Sequence, residues 1–311
     1  MKRVLVTGGA GFIGSHLVDA LVARGDEVRV LDDFSTGTPE NLSAAASRID
    51  VVRGDVGDLA VARRAVEGMT HVVHAAAIRS IPRSLDDPAL CNRVNVGGTL
   101  NVLVAARTSN IRRVALASSS AVYGNTTTFP VREDQPLQPG SPYAVSKLAG
   151  EQYAQLFREL YGMEIVCLRY FNAFGPRMDG QSGYAMAIPR FVVCLLRDEP
   201  PPIYGDGRQS RDFLFVEDIV QGTLRALDTD SVGPGLFNIA RGCDHTLLDV
   251  VDILNRVLKK RIAPRHLPGR IGEARRTLAD IARAKAELGF NPSVSFEDGL
   301  ARTVEWFRER M

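Results

Sequence analysis

The sequence has few cysteines, and their spacing is not that of a metal or disulfide site. Cys91, Cys167, Cys194 and Cys243 lie far apart, and no C-x-x-C pair occurs. The spacing therefore supports neither a zinc site nor the disulfide framework of a small secreted protein. Apolar neighbours, such as those on both sides of Cys167, lead us to expect small buried hydrophobes. This cysteine usage fits the reducing cytoplasm.

A charge excess of one sign and long apolar runs are also absent. The chain has 38 basic and 36 acidic residues, a net charge of +2. A field that weak gives no reason to expect a nucleic-acid or membrane-surface partner. The longest apolar runs fall well short of the ~20 residues that cross a bilayer. A strand-like run begins at Arg3, which leaves no room for a signal peptide.

What the sequence does contain is typical of a globular α/β protein. Of its 311 residues, 45% are hydrophobic and 24% are charged. In the first half, short β-branched runs such as 28–31, 71–76 and 114–117 alternate with longer helical stretches such as 95–108 and 141–161. This alternation predicts a doubly wound parallel sheet of the Rossmann type, with helices on both faces.

The pattern changes after about Gly175, where proline and glycine become frequent and the segments shorten. We expect a smaller, mixed C-terminal domain that leans over the ends of the sheet. The predicted dinucleotide-binding domain comprises residues 1–174 and about 213–240. The second domain would comprise residues 175–212 and about 241–311.

A glycine-rich segment, residues 7–14, lies between the first predicted strand and a helix. Gly9, Gly11 and Gly14 form G-x-G-x-x-G, and Gly8 adds a related spacing. Glycines let the backbone turn tightly and approach a pyrophosphate, which then lies on the positive end of the helix. The motif alone is weak, because glycine-rich turns are common.

The acid that should accompany this motif is Asp32, at the end of the second predicted strand. A carboxylate about 20 residues after the glycines binds the adenosine ribose hydroxyls and repels a 2′-phosphate, which favours NAD over NADP. The alternative is that Asp32 caps the next turn. For Asp33, ribose binding and a turn role before Ser35 are equally compatible with the sequence.

Tyr143 and Lys147 lie four residues apart in a segment that starts as a helix should, with Ser141 as a cap and Pro142 in the first turn. Their spacing puts them on one helix face. An ammonium beside a phenol lowers the tyrosine pKa and produces a base for neutral pH. An exposed Tyr–Lys pair is common by chance, so this interpretation depends on the NAD motif.

Ser118, Ser119 and Ser120 end an apolar strand, where ligands lie in open α/β sheets. The alternative is a strand-to-loop transition with local backbone hydrogen bonds.

These segments together resemble the extended short-chain dehydrogenase/reductase family, in its NAD-dependent nucleotide-sugar epimerase/dehydratase group. The resemblance runs from about Lys2 to the last helix. It rests on T-G-G-A-G-F-I-G, G-D-V at 54–56, H-A-A-A at 74–77, N-V-G-G-T at 95–99, S-S-S-A-V-Y-G, Y-A-V-S-K, R-Y-F-N at 169–172 and R-D-F at 211–213. It implies tightly bound NAD, a UDP-sugar substrate and no resident metal.

The roles implied by this resemblance fall into three groups. Catalytic roles go to Ser119, Ser120, Tyr143 and Lys147. Cofactor binding goes to Gly8, Gly11, Phe12, Ile13, Gly14, Asp32, Asp33, Asp55, Val56, Ala75, Ala76, Ala77, Asn95, Ser118, Tyr143, Lys147 and Tyr170. Substrate binding goes to Arg79, Ser80, Ser119, Asn172, Ile188, Tyr204, Arg211, Arg270 and Thr277. The family's dimers pack through helices at about 95–108 and 141–161, which implies a homodimer.

The residues after Ser119 indicate which reaction to expect. Related 4,6-dehydratases carry an Asp-Glu pair where this chain has Ser120 and Ala121. Alanine cannot transfer a proton, so dehydration loses its catalysts. Epimerisation at C4 needs only one base and a hydride acceptor. The resemblance therefore implies a UDP-hexose 4-epimerase acting through a 4-keto sugar.

The choice of sugar stays open. Thr277 aligns with a bulky tyrosine of some hexose-only epimerases, and a small residue there leaves room for an N-acetyl group. Residues 183–189 and 80–84 also resemble the N-acetylhexosamine branch of the family. Arg79 departs from many relatives and could bind a C6 carboxylate, which keeps a UDP-glucuronate epimerase open. Its alternative is an ion pair with Asp86 or Asp87. A catalytically inactive NAD sensor is the further alternative, but such proteins typically lose the tyrosine or the lysine.

Overall fold

The computed structural model describes residues 1–180, 185–230, 233–269 and 274–311. The strands are β1 Arg3–Thr7, β2 Glu27–Asp32, β3 Ile49–Arg53, β4 His71–His74, β5 Arg113–Ser119, β6 Ile165–Tyr170, β7 Ala173–Phe174, β8 Pro202–Tyr204, β9 Ser210–Arg211, β10 Leu214–Phe215, β11 Leu236–Ile239, β12 His245–Thr246 and β13 Arg265–Leu267. The helices are α1 Phe12–Ala23, α2 Leu59–Val66, α3 Ile81–Asp86, α4 Pro88–Cys91, α5 Gly98–Thr108, α6 Pro142–Tyr161, α7 Ala187–Leu196, α8 Val216–Asp228, α9 Leu247–Leu258, α10 Ala282–Leu288 and α11 Phe296–Arg308. Short 3₁₀ segments cover Pro39–Arg48 and Ser120–Tyr123, and a π-helical segment, Asn92–Gly97, joins α4 to α5.

Seven strands form one parallel sheet in the order β11-β6-β5-β4-β1-β2-β3. Within it, strands β1 to β6 have the Rossmann order β3-β2-β1-β4-β5-β6. The order in which the chain adds strands to the sheet reverses between β1 and β4. The expected α/β fold with a doubly wound parallel sheet is confirmed. Ligands of such sheets bind at the carboxyl ends of the strands beside this reversal, so the glycine-rich segment, residues 75–80 and residues 118–120 meet at one edge.

Apolar side chains cover both faces of the sheet. One buried cluster joins it to α1 and α8 and includes Leu17, Leu21 and Ile219. Another joins it to α2, α5 and α6 and includes Leu103 and Phe157. Continuous burial explains why the strands are uniformly apolar rather than alternating.

A further core cluster belongs to the C-terminal helices α7, α9 and α11. It contains a group of aromatic rings in which Phe174 packs edge-on against Phe213, Phe215 and Phe296 at centroid distances of 5.4 to 6.3 Å. Short two-stranded pairings, β10-β7, β12-β9 and β13-β8, surround it. We propose that the chain has the two predicted domains, and this separate cluster supports that division.

The cysteine prediction is correct in part. All four cysteines are free, and Cys91 and Cys167 are buried, but Cys194 is half-buried and Cys243 is exposed. The prediction is wrong for Cys243 because it follows Gly242 in a polar turn rather than lying in a strand. In the described part of the chain, the helices are all too short or too polar to cross a bilayer.

Candidate active site

The glycine-rich segment forms a turn that no larger residue could occupy. Gly8 has φ +69°, and a Cβ there would lie 2.7 Å from the backbone of Ala76. A Cβ on Gly14 would lie 2.0 Å from the carbonyl oxygen of Gly8. Gly11 precedes α1, whose first turn has no side-chain cap. The geometry fits a dinucleotide, because uncapped N–H groups at a helix start bind a pyrophosphate.

Phe12 and Ile13 begin α1, and their side chains pack into the C-terminal core cluster. Any contact that they make with a pyrophosphate therefore comes from backbone N–H groups. Because α1 begins directly after Gly11, these N–H groups belong to its first turn.

The Asp32 carboxylate is buried and accepts hydrogen bonds from Ala10 N at 2.9 Å and Phe34 N at 2.8 Å. Burial raises its pKa, and the two N–H donors oppose that rise. Asp33 is exposed, and its carboxylate accepts from the Ser35 backbone and hydroxyl. The turn role considered for Asp33 is therefore present, whereas Asp32 anchors the glycine-rich segment.

Asp55 and Val56, predicted to bind the cofactor, lie beside an ion pair. Asp55 accepts from Arg93 Nη1 at 2.5 Å and from Gly57 N at 2.7 Å. Burial raises the pKa of Asp55, but the bonds to Arg93 and Gly57 outweigh it, and the pKa is lowered. Val56 is buried, and its carbonyl accepts from Asn101.

Ala75, Ala76 and Ala77 follow β4 and lie beside the glycine-rich segment. Ala75 N donates to the Thr7 carbonyl and Ala76 N to the Thr7 hydroxyl. Asn95 was expected to contact NAD, but its side chain is 2% exposed and bonds both Ile78 backbone groups, at 2.8 and 3.0 Å. The π-helical segment turns the Asn95 side chain toward the protein interior. There it holds the loop that carries Arg79 through its two bonds to Ile78.

Tyr143 and Lys147 lie on one face of α6, as predicted. Ser141 caps this helix through Ala144 N, and Gly162 ends it at φ +65°. The Lys147 ammonium donates to the Ala117 carbonyl at 2.8 Å. Burial lowers the pKa of Lys147 to about 8.

The expected lowering of the Tyr143 pKa is not found. Burial raises it, while a hydrogen bond with Ser119 and the charge of Arg79 oppose that rise. Desolvation of the phenolate outweighs these contacts in the protein alone. Ser119 also accepts from Ala121 N at 3.2 Å, and Ser120 begins the 3₁₀ turn next to it.

Two side chains predicted to contact NAD point elsewhere. Ser118 is buried and donates to the Glu151 carboxylate on α6. Tyr170 is hydrogen bonded to Thr223 on α8 at 2.7 Å, and burial raises its pKa to about 12. Successive strand residues face opposite sides of a sheet. Arg169 faces α6, and its neighbour Tyr170 therefore faces α8. Cofactor contacts from these two residues would have to come from their backbones.

On the substrate side, Asn172, Arg211 and Thr277 come together. The Thr277 hydroxyl accepts from Asn172 Nδ2 at 2.8 Å and from Asp212 N at 3.1 Å. Arg211 Nη1 donates to the Ser210 carbonyl. Tyr204 lies in β8, and its carbonyl accepts from Gln209. Arg270, predicted to bind substrate, lies outside the described residues, as do Gly183 and Tyr184.

Ile188 was expected to contact substrate but is 2% exposed within the C-terminal core. This prediction is wrong for its side chain, since α7 turns Ile188 toward α9 and α11. Ser80 caps α3 by accepting from Arg83 N at 3.2 Å.

Arg79 lies in the cleft close to Tyr143. Burial lowers its pKa, while Asp179 and Tyr143 favour its charged form. Its Nη1 lies 3.9 Å from the Met186 sulfur. The charges that favour its cationic form thus come from Asp179 and Tyr143.

Comparisons with known proteins agree with this geometry. The model of the "NAD dependent epimerase/dehydratase family" matches residues 4–240. The chain is 38% identical to a UDP-glucose 4-epimerase from Mycolicibacterium smegmatis over 99% of both chains. It superposes with a TM-score of 0.95 on a UDP-N-acetylglucosamine 4-epimerase from Methanobrevibacter ruminantium, 39% identical, covering 100% of this chain and 99% of that one. The Thermus thermophilus UDP-glucose 4-epimerase complex with NAD has a TM-score of 0.91 and 36% identity, covering 99% and 100%.

Relatives with other activities are nearly as similar. A UDP-glucuronate 4-epimerase and a UDP-glucuronic acid decarboxylase from Arabidopsis thaliana are 35% and 34% identical. A dTDP-glucose 4,6-dehydratase from Streptomyces griseus is 35% identical. Overall similarity therefore identifies an NAD-dependent enzyme that modifies nucleotide sugars, and the reaction must be argued from the site.

Proposed function

The chain belongs to the NAD-dependent epimerase/dehydratase family, and from this premise we propose that it inverts C4 of a UDP-hexose through a 4-keto sugar. The observation that carries the proposal is the pairing of Tyr143 with Ser119, followed by Ser120 and Ala121. One base is present, and the acid pair that dehydration requires is replaced. The proposed substrates are UDP-glucose, UDP-galactose and the corresponding N-acetylhexosamines.

In this mechanism Tyr143 takes the proton from the sugar O4, and Ser119 orients that hydroxyl. NAD, when bound, supplies the group that accepts the C4 hydrogen as hydride and returns it. The Ser119 bond and the Arg79 charge favour the phenolate and so partly oppose the effect of burial on the Tyr143 pKa. The flat 4-keto sugar then turns, and Tyr143 returns the proton. A base placed this way contributes about 10²–10⁴-fold.

The UDP moiety would lie over the C-terminal segments. Asn172 and Arg211 are close through Thr277 and Asp212, and Tyr204 lies one short turn upstream on β8. Arginines suit a diphosphate because they are permanently charged and donate in a fixed fork. We propose that Asn172, Arg211 and Arg270 hold the diphosphate and that Tyr204 holds the base.

A UDP-glucuronate 4-epimerase is the second candidate. Arg79 favours it, because a cation beside Tyr143 could bind a carboxylate at C6 of the sugar. The nearby Asp179 weakens this alternative, since it already compensates the charge of Arg79.

We also propose that the enzyme is a cytoplasmic homodimer. On α6, Val145, Leu156 and Leu160 are 53%, 47% and 68% exposed. Their spacing places them along one face, and exposed apolar stripes of this kind mark protein interfaces.

The test is turnover of defined substrates. The purified protein is incubated separately with UDP-glucose, UDP-N-acetylglucosamine and UDP-glucuronate, and the C4 epimers are resolved by chromatography. We expect the first two to equilibrate with their epimers without added NAD. Epimerisation of UDP-glucuronate alone would replace the proposal with the second candidate. Turnover of none would leave the protein as a sensor.

A further inference from the structure

The end of strand β5 is attached to helix α6 by three consecutive residues. The contacts are Lys147 Nζ to the Ala117 carbonyl at 2.8 Å, Ser118 Oγ to Glu151 Oε1 at 2.5 Å, and the Ser119 hydroxyl to the Tyr143 side chain. The outer two attachments involve the proposed catalytic pair. The central one involves Glu151, a carboxylate with no role in the mechanism above.

Glu151 belongs to a buried ion pair. Its oxygens accept from Arg169 Nε at 2.9 Å and Nη2 at 2.7 Å, and the two side chains are 6% and 2% exposed. Arg169 is itself held by the Tyr123 hydroxyl and the Glu133 carbonyl. A bidentate pair with its remaining donors satisfied has a single well-defined geometry. The position of Glu151 is therefore fixed from the sheet side.

We propose that Glu151 is a positioning residue for the catalytic pair: it sets the position of α6 against β5 and holds Lys147 in its ammonium form, aimed at the Ala117 carbonyl. Glu151 lies four residues after Lys147, one helix turn away on the same face. The inference rests on the proposed function, because Lys147 and Tyr143 matter only if the pair performs the chemistry.

Several groups face Lys147 from the elements packed around it. Cys91 on α4 and Glu151 on α6 favour its charged form. His74 on β4 is held neutral by burial, which lowers its pKa to about 3. Tyr143 lies one turn earlier on α6. Without the Glu151 charge, burial dominates further, and Lys147 loses its proton at lower pH.

The chain has five lysines, namely Lys2, Lys147, Lys259, Lys260 and Lys285. Protein labelled with ¹³C at the lysine ε carbon therefore gives few NMR signals, and Lys147→Arg assigns the relevant one. In the wild type we expect this signal to titrate near pH 8. In Glu151→Gln, which keeps the size of the side chain but removes its charge and replaces one acceptor oxygen by an NH2 donor, the midpoint should fall by about one unit or more.

Glu164→Gln is the matched control. Glu164 pairs with Arg113 and links the starts of β5 and β6, at the other end of the sheet from the cleft. Losing this pair also removes an Arg–Glu contact between neighbouring strands, although Glu164 is 52% exposed, so a general loosening of the sheet appears here too. We expect no shift of the Lys147 midpoint in this variant.

The double variant Glu151→Leu/Arg169→Met separates positioning from stability, because replacing a whole buried pair by apolar residues is often neutral for folding. We expect this variant to fold and to bind UDP-sugar with little change in KM. Its kcat should fall at least tenfold, and the Lys147 midpoint should lie below that of the wild type, as in Glu151→Gln. Wild-type kcat and an unshifted midpoint in this variant would overturn the inference. The NMR titration needs no substrate, so it decides the inference even if no UDP-sugar is turned over and the proposed function fails.

Discussion

Tyr143 is the residue on which the proposed chemistry depends most. Tyr143→Phe removes the proton acceptor and keeps the ring, so turnover should fall by at least about a hundredfold while UDP-sugar binding stays nearly unchanged. Initial rates and calorimetric titration with UDP-sugar measure the two effects. Tyr161→Phe is the control, since this exposed tyrosine ends α6 under Arg107 and the substitution keeps its ring. Near-normal turnover of the Tyr143 variant would rule out the mechanism.

Thr277 tests the width of the sugar pocket. Thr277→Tyr should lower turnover of UDP-N-acetylglucosamine roughly tenfold or more and largely spare UDP-glucose, because a steric clash costs more than a lost contact. Comparing kcat/KM for the two sugars gives the result.

The structure adds a control for Thr277, because its hydroxyl also accepts from Asn172 and Asp212. Thr277→Val keeps the size and removes the acceptor, so it should weaken both substrates equally. Selective loss of the N-acetylated sugar in the valine variant would show that the hydroxyl, rather than pocket width, sets the preference.

At the residue scale, the sequence predicts those site residues whose roles follow from local spacing. The glycines, Asp32 and the Tyr143–Lys147 pair each belong to a short motif. Glu151 and Arg169 pair across 18 residues and between two elements, and no local pattern reveals such a contact. The alternation of strand side chains could have shown that Tyr170 faces away from Arg169.

At the scale of elements, α6 carries both the catalytic pair and the proposed dimer surface. Leu156→Glu/Leu160→Glu places two charges on its exposed face, which are costly to bury in an interface. We expect the protein to become monomeric, as measured by light scattering after size exclusion. Val51→Glu changes a 43% exposed residue on edge strand β3 and should leave the assembly unchanged. A wild-type monomer would contradict the proposal directly.

The predicted strands and long helices of the first half match the structure closely, whereas the sequence does not predict α2, α3, α4, α7, α8, α9 or α10. Among them, α2 and α9 do have capping signals in the sequence: Asp58 before α2, and a capping box of Thr246 and Asp249 at α9. The glycines and prolines around them favoured loops. Burial of apolar side chains in the C-terminal core stabilises the helices α7 and α9 despite these residues.

At the scale of the whole molecule, a buried histidine connects the sheet to α5 beneath the glycine-rich segment. His74 Nδ1 is hydrogen bonded to Thr7 at 2.7 Å and Nε2 to Thr99 at 3.0 Å. Burial lowers its pKa from the ordinary 6.5 to about 3. The unfolded chain therefore binds a proton below about pH 6.5 that the folded chain does not, and stability is lost as the pH falls.

His74 should thus reduce the free energy of unfolding by roughly 1.4 kcal/mol per pH unit below about pH 6.5. Urea unfolding at pH 7, 6 and 5 measures this slope. His74→Gln can both donate and accept, so it should flatten the slope, whereas exposed His266→Gln should not. An unchanged slope in the His74 variant would mean that other groups control acid unfolding.

The central claim, inversion at C4 with internal return of hydrogen, is tested most directly by following that hydrogen. UDP-glucose and UDP-N-acetylglucosamine carrying deuterium at C4 are incubated with the purified protein, and the products are analysed by NMR and mass spectrometry. The account predicts the C4 epimer with the deuterium still at C4 and no net NADH formation. Deuterium at C6 of a dehydrated keto sugar, or an epimer whose label has exchanged with solvent, would contradict it.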